Sequence, residues 1–148
     1  VFPPTAGAEE NGWPLPKEAT MAKYVLLKHY RGAPAGVNDV PMEQWSERDV
    51  ADHLQYMEDF AERLRESGEF VDSLALSDRG TFVRYDGVGR PPLTDSAALD
   101  AKDLVAGWMI IDVADHDRAL ELAAELSAEP GKDGEPIHEW LELRPVLG

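Results

Sequence analysis

Apolar and polar positions first alternate along residues 23–30, KYVLLKHY. Tyr24, Leu26, Lys28 and Tyr30 fall on one face, and Val25, Leu27 and His29 on the other, the period of two that defines a strand. Glycines and prolines between Gly32 and Pro41 then mark a loop. Ser46 followed by Asp49 makes a capping box, and the spacing predicts a helix over 47–67 that stops at Gly68. Its apolar stripe is read as Val50, Leu54, Met57, Ala61 and Leu64, with His53 and Phe60 at one edge. Residues 69–76 read as a second strand. Arg79 and Gly80 turn the chain, and 81–85 return as a third. Residues 104–113, LVAGWMIIDV, form the most apolar run and read as a strand buried on both sides. Asp115 caps a second helix over 116–128, with Ala119, Leu122, Ala123 and Leu126 inward. Residues 137–143 read as the last strand.

This order predicts an α+β fold of the ferredoxin-like, split βαβ kind, with an antiparallel sheet and both helices on one face. The other sheet face is then left bare. A strand apolar on both sides needs a cover there, and a second copy of the chain supplies one, so a homodimer through the sheet is expected. The domain is placed at 21–148. Residues 1–20 hold four prolines and two glycines, read as an irregular extension that the fold does not need.

Composition narrows the partners. The chain has 148 residues, a net charge of −15 and no cysteine. Such charge disfavours nucleic acid and anionic membrane surfaces. Disulfides and thiolate chemistry are excluded. No window is apolar enough to span a membrane, and residues 1–20 lack the basic and apolar regions of a secretory leader, so a cytoplasmic location is expected. There is no Gly-rich phosphate loop, His-x-x-x-His pair or nucleophile elbow, and neither a cofactor nor a metal is expected.

The candidate chemistry is sparse. His53 lies one turn after Asp49, which makes an acid–base dyad with Asp49 orienting the ring. Asp95, Asp100 and Asp103, in the acidic loop before the apolar strand, would form a carboxylate cluster serving as an acid of raised pKa or holding a divalent metal, and Lys102, a candidate ligand-binding amine, is read first as a surface partner for these acids rather than a catalytic amine. Lys28, His29, Arg84, His138 and Arg144 are cationic or titratable groups on strands, and one on the bare sheet face would hold a carboxylate ligand, hence a small acid is the expected partner. Tyr30, beside Lys28, and Trp140, beside His138, would flank it. The plain alternative at each position is a half-buried helix histidine, a turn-capping aspartate or a cross-strand pair.

Several stretches resemble a family: KYVLLKHY, EDFAERLRESGEFVDSLAL, GTFVRYDGVGRPPLTD, DAKDLVAGWMIIDV, RALELAAEL and IHEWLELRPV, spanning residues 21–147 in this order. Together they resemble the YCII-related proteins, in particular the branch named for an Asp-Gly-Pro-Phe loop. The resemblance implies a ferredoxin-like domain paired into a dimeric α/β barrel. It also implies a mostly unassigned role, a branch with a dehydrochlorinating lyase that uses a His and an Asp, and a genetic setting beside extracytoplasmic-function sigma factors. The family's histidine precedes a Leu early in the first helix, as His53 precedes Leu54. At the loop, Asp95 matches, but Ser96, Ala97 and Ala98 replace Gly, Pro and Phe, which removes a backbone freedom, a rigid link and an aromatic wall. Two functions stay open: a dimeric ligand-binding or regulatory protein in a stress context, or a cofactorless lyase or isomerase of a small acid, aromatic or not, with His53 as base.

Overall fold

The computed structural model describes residues 22–96 and 102–148. The first strand, β1, is Ala22–Arg31, followed by a 3-10 turn at Met42–Gln44 and the helix α1, Glu47–Ser67. Strand β2 is Phe70–Ala75, β3 is Phe82–Arg84, β4 is Leu93–Asp95 and β5 is Leu104–Val113. Helix α2, His116–Ser127, a second 3-10 turn at Lys132–Gly134 and β6, Glu142–Pro145, complete the order. Among the described residues the result is an α+β fold with two α-helices and antiparallel sheets. In the four-stranded sheet the order is β2-β5-β1-β6, so β5 lies between β1 and β2, and β1 between β5 and β6. The expectation for residues 1–20 concerns positions outside the described residues.

The helix ends follow the sequence. Ser46 Oγ accepts from the Asp49 amide at 3.1 Å, and Asp49 returns a bond to the Ser46 amide at 3.3 Å. Such a cap stabilises a helix by about 1 kcal/mol. Gly68 ends α1 at φ 81, the left-handed conformation that a side chain would strain. The Asp115 carboxylate caps α2 by accepting from the Arg118 amide at 2.8 Å.

Both helices pack on one sheet face. Tyr24, Leu26, Met109, Ile111 and Val113 point at Phe60 and Leu64 of α1 and at Ala119, Leu122 and Leu126 of α2, forming one buried core. Full burial of a side chain of this size contributes about 1.5–3 kcal/mol. Pairing of Tyr24 with Ile111 and Leu26 with Met109 brings equivalent faces together across β1 and β5. Gly107 continues that face, and a Cβ there would come 2.6 Å from the Leu74 carbonyl of β2. Glycine at 107 therefore lets β2 approach β5 closely.

Three expectations are corrected. Residues 82–84 do not return against β2; β3 pairs with β4 in a separate two-stranded hairpin, Phe82 opposite Asp95. Two prolines and two glycines lie in the segment before β4, and the hairpin closes there. The last strand is four residues long and begins at Glu142, five later than expected, because His138 has φ 49 and breaks the extended run. On α1 the buried residues are Asp49, His53, Phe60, Ala61 and Leu64, while Leu54 is 57 % exposed. The inward face is thus rotated toward the His53–Phe60 edge. Along β5, residues 107, 109, 111 and 113 are buried, and 108, 110 and 112 on the other face are half-buried.

Candidate functional site

A cleft of about 680 Å³ opens between α1 and the sheet. Small residues create the space: Ala51 and Ala61 on the helix face Ala75, Ala106 and Gly107 on β2 and β5. Leu54 and Met57 line it from α1, and Leu26 and Met109 from the sheet. Its charged lining residues are Lys28, Glu58 and Arg65. Arg65 is occupied: it donates to Glu58 at 3.2 Å and Glu62 at 3.1 Å, and stacks over the Phe70 ring.

Lys28 is on the helix-covered face of β1, next in register to buried Leu26, not on the bare face where a cation was expected. Its ammonium donates to both Glu129 carboxyl oxygens, at 2.6 and 2.7 Å, and lies 3.3 Å from Glu139 Oε1. A weaker contact reaches Met57 Sδ at 3.6 Å. The Glu129 side chain is 1 % exposed. It sits just past α2, one turn beyond Leu126, and its carbonyl accepts from the Ile137 amide.

Two carboxyl groups and one ammonium make an uneven set. Burial, then the Glu139 carboxylate, pushes Glu129 up to about 8 against the pull of Lys28. Burial also pushes Glu139 upward, but a hydrogen bond from Glu129, with Lys28, outweighs it and holds Glu139 below the usual carboxylate range. Carboxyl groups bond each other only when one carries a proton. The Glu139 Oε1 atom is buried without a hydrogen-bond partner, since Lys28 at 3.3 Å is an ion-pair contact outside bonding geometry. With its pKa pushed up to about 8, Glu129 keeps its proton at neutral pH beside the Glu139 carboxylate. The trio then carries one positive charge, one negative charge and one shared proton, and is neutral as a whole.

His53 lies beside this cluster, 7 % exposed. Its Nδ1 is 2.9 Å from the Pro130 carbonyl, and a carbonyl can only accept, so Nδ1 carries the proton and Nε2 is the basic nitrogen. Burial lowers its pKa most, the Pro130 bond opposes this, and Lys28 lowers it further. Trp45 meets the ring edge-on at 5.2 Å. Asp49 does not orient His53. One of its oxygens accepts from the Asp133 amide at 3.1 Å and from the Ser46 amide, and these bonds, led by that of Asp133, hold its pKa low.

The other sequence candidates are scattered. Tyr30 donates to the Leu76 carbonyl at 2.7 Å. Arg84 and Asp95 are exposed on the hairpin of β3 and β4. His138 and Trp140 are exposed ahead of β6, in no strand. Lys102 is exposed, and Asp103 packs its carboxylate over Gly32. Asp100 and residues 97–98 of the altered loop lie outside the described residues. His29 turns to the opposite sheet face, where its Nε2 is 2.9 Å from Glu142. Among the described residues, no group of three or more His, Asp or Glu is placed to hold a metal ion.

Sequence reasoning missed Glu129 and Glu139. For Glu129 a signal existed: Ala119, Leu122 and Leu126 are spaced at helical intervals, and the next inward position is 129. An inward Lys28 between apolar neighbours also demands a buried counter-charge. Glu139 follows a residue in the left-handed region and had no such periodicity.

No curated protein matches the chain. A model of the YCII-related domain matches residues 22–131. That span holds β1 to α2, including Lys28, His53 and Glu129, and the chain belongs to the YCII-related domain family.

Proposed function

We propose that this protein binds a small molecule in the cleft between α1 and the sheet, in a ferredoxin-like domain that works as a homodimer. The cleft carries the reading: its volume lies within the range of small-ligand sites, and its wall is mainly apolar, with Lys28, Glu58 and Arg65 as its charged lining residues. The strand order β2-β5-β1-β6 supports the ferredoxin-like assignment. A dimer of the barrel type accounts for the bare sheet face, where Trp108 and Ile110 are half-buried and Leu74 is 53 % exposed. A cytoplasmic, regulatory setting is part of the same proposal and rests on the family resemblance.

A lyase or isomerase is the second reading, favoured by the neutral, oriented ring of His53 with Nε2 as base. Ligand binding is preferred because the residues lining the cleft include neither His53 nor Asp49. The chain has four methionines, and two of them, Met57 and Met109, line the cleft. In protein labelled at the methionine methyls, a small-molecule screen is expected to shift both signals and leave exposed Met42 in place. Hits that move Met42 alone, or none that move Met57 and Met109, would remove the proposal. Light scattering at low micromolar concentration is expected to give the dimer mass, and a monomer mass would contradict the pairing.

A further inference from the structure

We infer that the cleft selects an uncharged, largely apolar ligand that presents a carbonyl or hydroxyl oxygen to Lys28, and rejects the carboxylate of the same shape. The inference rests on the cleft reading above and specifies its ligand. It reverses the simplest expectation for a lysine in a pocket, which is to take an anion.

Lys28 has three N–H donors. The two Glu129 oxygens accept from two of them, at 2.6 and 2.7 Å. The contact to Met57 Sδ, at 3.6 Å, is the weak one, because a thioether is a poor acceptor. A ligand oxygen outcompetes that sulfur without disturbing the ion pair. Met57 lines the cleft, so the position beside it is reachable from the cleft side.

Charge decides which oxygen fits. Glu139 Oε1 already lies 3.3 Å from the same ammonium. The two glutamates already neutralise the single Lys28 charge. A ligand carboxylate would add a second negative charge beside Glu139, in a place where Glu129 is 1 % exposed and solvent cannot screen it. Arg65 offers no relief, since two carboxylates, Glu58 and Glu62, already hold it. The net charge of −15 acts against an anion as well. A ketone, phenol or alcohol adds no charge, and its body meets Leu54, Met57 and Met109.

Matched pairs test this: acetophenone against benzoate, and 2-octanone against octanoate, titrated into methionine-methyl-labelled protein. The ketones are expected to shift Met57 and Met109, with each acid at least about tenfold weaker. The double variant Glu129→Gln/Glu139→Gln leaves the Lys28 charge uncompensated, and the acids are then expected to bind at least about tenfold more tightly than to the wild type. Acids that bind the wild type as well as their ketones overturn the inference and leave the cleft reading standing. If neither member of either pair moves Met57 and Met109, the cleft reading falls and takes the inference with it. Should the double variant not fold, the wild-type comparison still decides.

Discussion

Replacing Lys28 with methionine is expected to destabilise the protein by about 3 kcal/mol, the low end of the range for breaking a buried ion pair. Methionine is close in length to lysine and keeps the packing against Leu26 and Met57, so the loss reports on charge. Without the ammonium, Glu129 at 1 % exposure keeps only Glu139 as a partner. The low end applies because a proton already shared between the glutamates limits the uncompensated charge to one. Urea unfolding at neutral pH measures it. Adding Glu129→Gln to Lys28→Met is expected to recover much of the loss, since the two changes are strongly coupled. A loss under about 1 kcal/mol for the single variant would mean that the pair is solvated.

The second large effect is on pH dependence. Glu129 has a folded pKa near 8, raised from the ordinary 4.5. Between those values the folded chain holds a proton that the unfolded chain has released. The stabilisation tied to that proton is complete below about 4.5 and is lost as pH rises through 8, at up to about 1.4 kcal/mol per pH unit. His53 has the opposite sign: its pKa is lowered by burial, so folding gains as pH rises through the unfolded value of 6.5. Glu139, Asp49 and Glu69 are lowered too, and their contributions fall away only below about 4.5, under the window. The comparison of wild type with Glu129→Gln isolates Glu129, because the amide keeps the shape and can donate to Glu139. The variant is expected to gain on the wild type steadily from pH 5 to 8, reaching a difference on the order of 2–4 kcal/mol. Parallel stability curves would show that Glu129 is an ordinary ionised carboxylate.

Much of the scaffold was legible because it obeys local rules. Ser46, Asp49 and Gly68 bound α1 through backbone bonds that sequence spacing encodes directly. The alternation in β1 placed Lys28 beside Leu26 and Tyr24 correctly. What failed were pairings set by distant chain. The helical stripe of α1 admits two neighbouring faces: spacing alone puts Leu54 inward, whereas the buried edge is His53 and Phe60. An i, i+4 pair such as Asp49 and His53 looks like a dyad until the Asp133 amide and the Pro130 carbonyl, each some eighty residues away, claim one partner apiece. The site was half legible for the same reason. Lys28 was singled out as a cation, but its partners come from the ends of later elements, and only the helical phase of α2 pointed to Glu129.

The account turns on the neutral cluster, and carboxyl-carbon NMR of Glu129 tests it most directly. Selective assignment by comparison with Glu129→Gln allows that one signal to be followed from pH 4 to 10. The signal is expected to remain that of a protonated carboxyl through neutral pH and to change near pH 8. A midpoint near 4.5, with Glu129 fully ionised at pH 7, would contradict the shared proton.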